Sequence, residues 1–133
     1  MKVFIDTDVL VAAYISHGAC FELYEHCLDT HTVYSSEQVR RELEDTLTKK
    51  LRFSAAKAAT ACKHHRENSI LTRPIQQPHG WSRDPDDDNI IAAAIQIPVD
   101  CIVTGDKDLL VLERVQGIPV LSPGDFWKFE SAF

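Results

Sequence analysis

The stretch DPDDDNIIAAAIQIPVDCIVTGD, residues 84–106, decides the architecture. Four carboxylates broken only by Pro85 lead into the apolar run NIIAAAIQI, which reads as a buried helix stopped by Pro98. CIVT (Cys101 to Thr104) follows as a short, continuously apolar strand, and Asp106 stands just beyond its end. A buried helix feeding a buried strand is the signature of a parallel sheet covered on both faces, because such strands lack the polar alternation of a half-exposed sheet.

The same alternation runs outward in both directions. KVFI (2–5) is a first strand, LVAAYI (10–15) and CFELYEHCL (20–28) are helices, and TVYS (32–35) is a second strand. In SSEQVRRELEDTLTKKL, Ser35 and Gln38 have capping-box spacing, and Val39, Leu43, Leu47 and Leu51 form one apolar stripe. SAAKAATACKHHRE is a further helix, with His64 and His65 expected on its exposed face. SILT (69–72) is a third strand, and RPIQQPHGWSRDP is a Pro-rich loop. DLLVLERV reads as a short helix, and IPVLS (118–122) as a fifth strand. The expected fold is a single α/β domain over residues 1–133, with a parallel sheet of about five strands.

Composition excludes several classes. With 133 residues and 44% hydrophobic content the chain can bury one sizeable core. No apolar run approaches the roughly 18 residues of a membrane span, and the N-terminus lacks a signal-peptide pattern, so a soluble cytoplasmic protein without a membrane partner is expected. Cys20, Cys27, Cys62 and Cys101 form no C-x-x-C pair and are expected as reduced thiols. The six histidines (His17, His26, His31, His64, His65 and His79) lack the H-E-x-x-H pairing of zinc hydrolases. The net charge of -6 argues against indiscriminate nucleic-acid binding. Between Arg40 and Arg73, however, nine of the fourteen Lys and Arg residues meet only four acids. That segment is either a solvated helical face or a basic arm beside an acidic pocket.

The acids gather where a parallel sheet places its sites, beyond the carboxyl ends of the strands. Asp6 follows the first strand and Asp106 the fourth. Asp87 and Asp88 open the helix that leads into the fourth strand, and Glu42 flanks the apolar stripe of the helix after the second. Any one of these acids has an ordinary explanation, since Asp is favoured at helix starts. Jointly they form a set of mutually repelling carboxylates, which persists when a cation neutralises it or some members stay protonated. Hard divalent ions such as Mg2+ or Mn2+ take oxygen ligands of this kind, and metal-assisted phosphodiester hydrolysis is the matching reaction class.

FIDTDVL, SSEQVRREL, RDPDDDNIIAAA and IVTGDKDLL occur here in the order and approximate spacing of PIN-domain proteins, and the chain resembles the small VapC-like toxin type from Lys2 to about Phe126. The resemblance implies a Rossmann-like three-layer α/β/α sandwich and a Mg2+- or Mn2+-dependent ribonuclease. It makes Asp6, Glu42 and Asp106 catalytic acids, with Asp108 as auxiliary metal ligand and Thr104 supporting Asp6. A frame on DPDD selects Asp87 and a D-x-x-I-x-A frame selects Asp88; the first is preferred and both remain candidates. Asp8 stands where the family usually has Asn or Ser, so it either joins the metal or caps the following helix. Arg40, Lys49, Lys50, Arg52 and Lys107, with Arg83, would hold the RNA backbone. A cognate antitoxin and a homodimer are further implications. The alternatives are a stand-alone RNA-processing nuclease, a non-catalytic RNA- or protein-binding module, and, from the D-x-D start, a haloacid-dehalogenase-like phosphatase with Asp6 as nucleophile.

Overall fold

The computed structural model describes residues 1–74 and 80–133. Residues 75–79, and with them Pro78, His79 and part of the Pro-rich loop, lie outside the described residues. β1 (Lys2–Ile5) and β4 (Cys101–Val103) pair in parallel at the centre of the sheet, Val3 opposite Cys101 and Ile5 opposite Val103. Val3, Phe4 and Ile5 are all fully buried, as are Cys101, Ile102 and Val103. Successive strand residues point to opposite faces, so both faces at the centre are covered.

β2 (Thr32–Ser36) pairs with β1, and β3 (Ile70–Thr72) with β2. On the other side β6 (Ile118–Leu121) pairs with β4 in parallel, and the two-residue β5 (Arg114–Val115) pairs with β6 antiparallel. Among the described residues the order is β3-β2-β1-β4-β6-β5. Five strands are parallel, as the sequence predicts; the antiparallel β5 is additional. Flanking the sheet are α1 (Thr7–Ile15), α2 (Ala19–Thr30), α3 (Glu37–Asp45), α4 (Ala55–Asn68), α5 (Pro85–Gln96), the single turn α6 (Lys107–Leu110) and α7 (Pro123–Ala132). No helix of the described residues is long and apolar enough to cross a membrane.

Local chemistry moves several boundaries. The cap of α3 is Ser36, whose hydroxyl accepts from Val39 N at 3.2 Å, not Ser35. Alternation along β2 turns Ser35 inward instead, where its hydroxyl meets His65 Nε2 at 2.8 Å. The expected stripe holds for Val39, Leu43 and Leu47, but Leu51 is 40% exposed. Beyond Asp45 the helix widens, with Leu51 N bonding Thr46 O across five residues, and this rotates Leu51 off the core face. α5 starts at Pro85, capped by Asp84, so the acidic run forms its first turn.

The helix expected over DLLVLERV stops at Leu110. Residues 114–119 form a hairpin instead, with Val115 opposite Ile118 and positive φ at both Gln116 (49°) and Gly117 (79°). Two left-handed central residues give the primed turn whose twist suits a two-residue hairpin.

The expectation for His65 is also overturned. It is fully buried, and its Nδ1 lies 2.8 Å from the Tyr24 hydroxyl, which meets the Tyr14 hydroxyl at 3.1 Å. The chain ends at His64 Nδ1, 2.7 Å from Tyr14. Burial pushes the His65 pKa down to about 3, so the ring is neutral and joins α4 to β2 and α2 as a hydrogen-bonding wedge. Replacing His65 with Ala strands two hydroxyls and leaves a void, so it should cost about 3 kcal/mol of stability in urea unfolding. A loss below about 1 kcal/mol would refute this role.

Candidate metal centre

The chain builds β1, β2 and β3 outward on one side and then returns to lay β4 against the other side of β1. The strand order reverses there, so the loops after β1 and β4 part and leave a crevice at the carboxyl edge. The crevice has a volume of about 440 Å³ and is lined by Asp6, Asp8, Glu42, Asp84, Asp86, Asp87 and Asp106, with Thr7, Val11, Thr46 and Ile90. Among the described residues no Lys, Arg or His side chain is part of that lining.

Each acid is held by identifiable donors. Asp6 caps α1, accepting from Thr7 N at 2.7 Å through one oxygen, and takes the Thr104 hydroxyl at 2.7 Å on the other. Asp106 caps α6, accepting from Asp108 N at 2.8 Å, while its own N donates to the Thr104 hydroxyl at 3.0 Å. Thr104 thereby links the two strand-ending acids. Asp84 caps α5 through Asp86 N at 3.0 Å. Asp8 accepts from Val9 N at 2.8 Å and from Gly105 N at 2.9 Å, tying α1 to the loop after β4. A Cβ at Gly105 would lie 2.6 Å from that carboxylate, which is why a glycine suits this approach. Gln38 spans two elements, donating to Glu42 Oε1 at 3.2 Å and to the Asp86 carbonyl at 3.1 Å.

The adjacent carboxylates of the acidic run are turned to different tasks. Asp87 is buried, lines the crevice, and accepts a long 3.4 Å contact from the Ser82 hydroxyl. Asp88 faces away, its two oxygens accepting from Gly80 N and Ser82 N, each at 2.8 Å. Asp108 lies at the rim: its carboxylate falls within 4.8 Å of those of Asp84 and Asp87, and it accepts from Arg83 Nε at 2.7 Å.

Burial raises the Asp6 pKa to about 7, with the Asp8 carboxylate adding to the shift and the Thr104 hydroxyl opposing it. Asp87 is also raised to about 7, by burial first and then by the Asp106 carboxylate. Burial likewise moves Asp8 and Glu42 upward. Ionising carboxyls pushed this far costs more than their own donors return. Thr7 Oγ1, on the crevice wall, is buried without a hydrogen-bond partner among the described residues. An all-oxygen donor set, excess negative charge and an unpartnered hydroxyl fit a hard divalent cation.

The basic residues lie outside this lining. The Arg40 guanidinium donates to Ser69 O at 3.3 Å and Ser69 Oγ at 3.2 Å, joining α3 to the end of α4. Lys49 pairs with Asp45 at 3.5 Å on the surface, and Lys50 and Arg52 are exposed beside it. Lys107 and Arg83 line a neighbouring groove of about 430 Å³ with Trp81, Asp108 and Val111. Thr7, Gln38, Asp84 and Asp86 escaped the sequence reading as site residues. The capping position of Asp84 before Pro85 was a signal available for one of them.

A family model described as the PIN domain matches residues 2–108. Among solved structures, a chain of VapBC2 from Rickettsia felis, crystallised bound to a DNA fragment from its promoter, superposes with a TM-score of 0.69. The match covers 92% of this chain and 98% of that chain at 15% identity, a likeness of fold. No curated protein matches the chain.

Two predictions follow from the electrostatics. Asp6 and Asp87 hold protons in the folded state that the unfolded chain releases near its ordinary 3.8, so metal-free stability should fall as pH rises from about 4 to about 7. Over the same window the rise in Tm on adding Mn2+ should grow, because binding displaces those protons; an increment independent of pH would contradict the assignment. Separately, Asp87→Asn should raise the metal-free Tm by relieving repulsion, whereas Asp88→Ala should cost about 2 kcal/mol through its two lost backbone contacts. The opposite order in thermal melts would place the wrong carboxylate in the crevice.

Proposed function

The chain belongs to the PIN-domain family, and from that premise we propose that it is a Mg2+- or Mn2+-dependent endoribonuclease acting as the toxin of a toxin-antitoxin pair. The observation that carries the reading is seven carboxylates around one crevice at the sheet's switch point, with no basic side chain among the described residues that line it. Asp6, Asp87 and Asp106 would hold the ion, and Asp8 and Asp108 would adjust its surroundings. When bound, such an ion supplies Lewis-acid polarisation of a phosphodiester and a lowered pKa for water.

The protein's own groups divide the remaining work. Thr7 N and the Thr104 hydroxyl fix the Asp6 carboxylate, so the donor set is pre-organised before substrate arrives. Glu42, raised by burial and steadied by Gln38, stands across the crevice and is suited to accept a proton from an attacking water. Arg83 and Lys107, in the neighbouring groove, would hold backbone phosphates, contacts that position a strand without reading its sequence. Lys49, Lys50 and Arg52 would extend that path on the exposed end of the α3 segment.

The likeness to VapBC2 supports a protein partner. A cognate antitoxin would cover the crevice with an extended segment and place a basic side chain among the acids. A homodimer would bring two such crevices together.

Asp6→Asn and Asp106→Asn should each abolish Mn2+-dependent cleavage of single-stranded RNA, while far-UV circular dichroism stays that of the parent. Asn keeps an acceptor oxygen at each helix start, so the fold is retained. Undiminished cleavage by both variants would overturn the reading. Co-expression of a neighbouring small open reading frame that relieves growth arrest would support the toxin assignment over a stand-alone RNA-processing nuclease.

A further inference from the structure

We propose that His26, His31 and Glu130 form a second cation site, for a borderline-soft divalent ion such as Zn2+, that clamps the C-terminal helix to the amino edge of the sheet. The place is the opposite end of the molecule from the acidic crevice. His31 directly precedes β2, and Thr32 N donates to Met1 O at the start of β1. His26 lies on α2, and Glu130 near the end of α7.

The three side chains converge on one point. His26 Nε2 and His31 Nε2 each lie 2.5 Å from the same Glu130 oxygen, Oε2, and the three ligand atoms all fall within 4.8 Å of one another. Two imidazole nitrogens with one carboxylate oxygen suit Zn2+ and its neighbours, whereas Mg2+ and Mn2+ favour oxygen alone. Bonds of about 2.0 Å to a tetrahedral ion set ligand atoms roughly 3.3 Å apart, so an opening of less than about 1 Å admits the ion. Rotation about the Glu130 side-chain torsions supplies that movement.

The surroundings resemble the outer layer of a metal site. The Trp127 ring lies 4.9 Å from His26 and the Phe126 ring 6.1 Å from His31, giving apolar support on one side. His31 Nδ1 lies 3.1 Å from the Met1 nitrogen, a contact that limits rotation of the ring. The His26 side chain is 33% exposed, leaving a fourth position open to water. Among the described residues Phe126 is the one fully inserted residue of α7, so an ion shared by α2, His31 and α7 would add a second anchor to that helix. The two centres are separated by chemistry as well as by position, one all-oxygen and one nitrogen-rich.

The test uses the untagged full chain with saturating Mg2+ to occupy the acidic crevice. Titration with Zn2+ should show one ion per chain and raise Tm by roughly 5 °C. Co2+ in its place should give the visible absorption bands of a low-symmetry imidazole site. His26→Ala and Glu130→Gln should each weaken Zn2+ binding on the order of 100-fold and remove the bands, while Asp6→Asn keeps both. His26→Ala should retain RNA cleavage, which separates failure of this site from failure of the nuclease assignment. Zn2+ binding unchanged in both variants, binding lost with Asp6→Asn, or no binding to the parent chain would each overturn the proposal. If Glu130→Gln alters the metal-free fold, the part-exposed His26→Ala decides.

Discussion

Backbone N–H groups at the starts of α1, α5 and α6 hold the acidic crevice in place. Thr7, Asp86 and Asp108 donate to the caps Asp6, Asp84 and Asp106 at 2.7 to 3.0 Å. In a parallel sheet these helix starts lie at the carboxyl edge, so their positive ends gather where the acids stand. A helix start favours a carboxylate by about 0.3–1 kcal/mol, up to about 2 when partly buried. The displacement of Asp6 from 3.8 to about 7 corresponds to about 4 kcal/mol in the other direction. Burial and the Asp8 carboxylate therefore outweigh the Thr104 hydroxyl and the Thr7 N–H, and a bound cation would reduce that cost.

The topology makes that imbalance unavoidable. β1 and β4 are neighbours in the sheet although nearly a hundred residues separate them, and each ends in an acid at the point where their loops part. Asp8 on Gly105 and Thr104 on Asp6 and Asp106 cross the same gap. The crevice walls are thus tied to each other by the side chains that a ligand would meet, and rigidity at the site follows from the central pairing.

The central strands were legible because VFI and CIV are too apolar for a half-exposed sheet, and Asp6 and Asp106 because they stand just past them. Which of Asp87 and Asp88 faces the crevice was hidden, since it depends on the backbone of residues 80–82 closing over Asp88. The cap falls on Ser36 and not Ser35 because strand alternation, invisible in a pair of identical residues, decides which one faces inward. His65 was misread because its partners, Ser35 and Tyr24, are 30 and 41 residues away. The convergence of His26 and His31 with Glu130 is hidden for the same reason, about a hundred residues separating the partners. In the hairpin, Gln116 occupies a left-handed position usually held by Asn or Gly, so only Gly117 marked the turn.

The hairpin at residues 114–119 has a consequence for the solution behaviour of the sheet. Open sheet margins present unpaired peptide groups that can recruit strands from other molecules. Here one margin is the two-residue β5, folded back antiparallel on β6, and the other is the three-residue β3. Among the described residues neither offers a ladder long enough to template a foreign strand. Self-association by strand addition is thereby discouraged at these two margins.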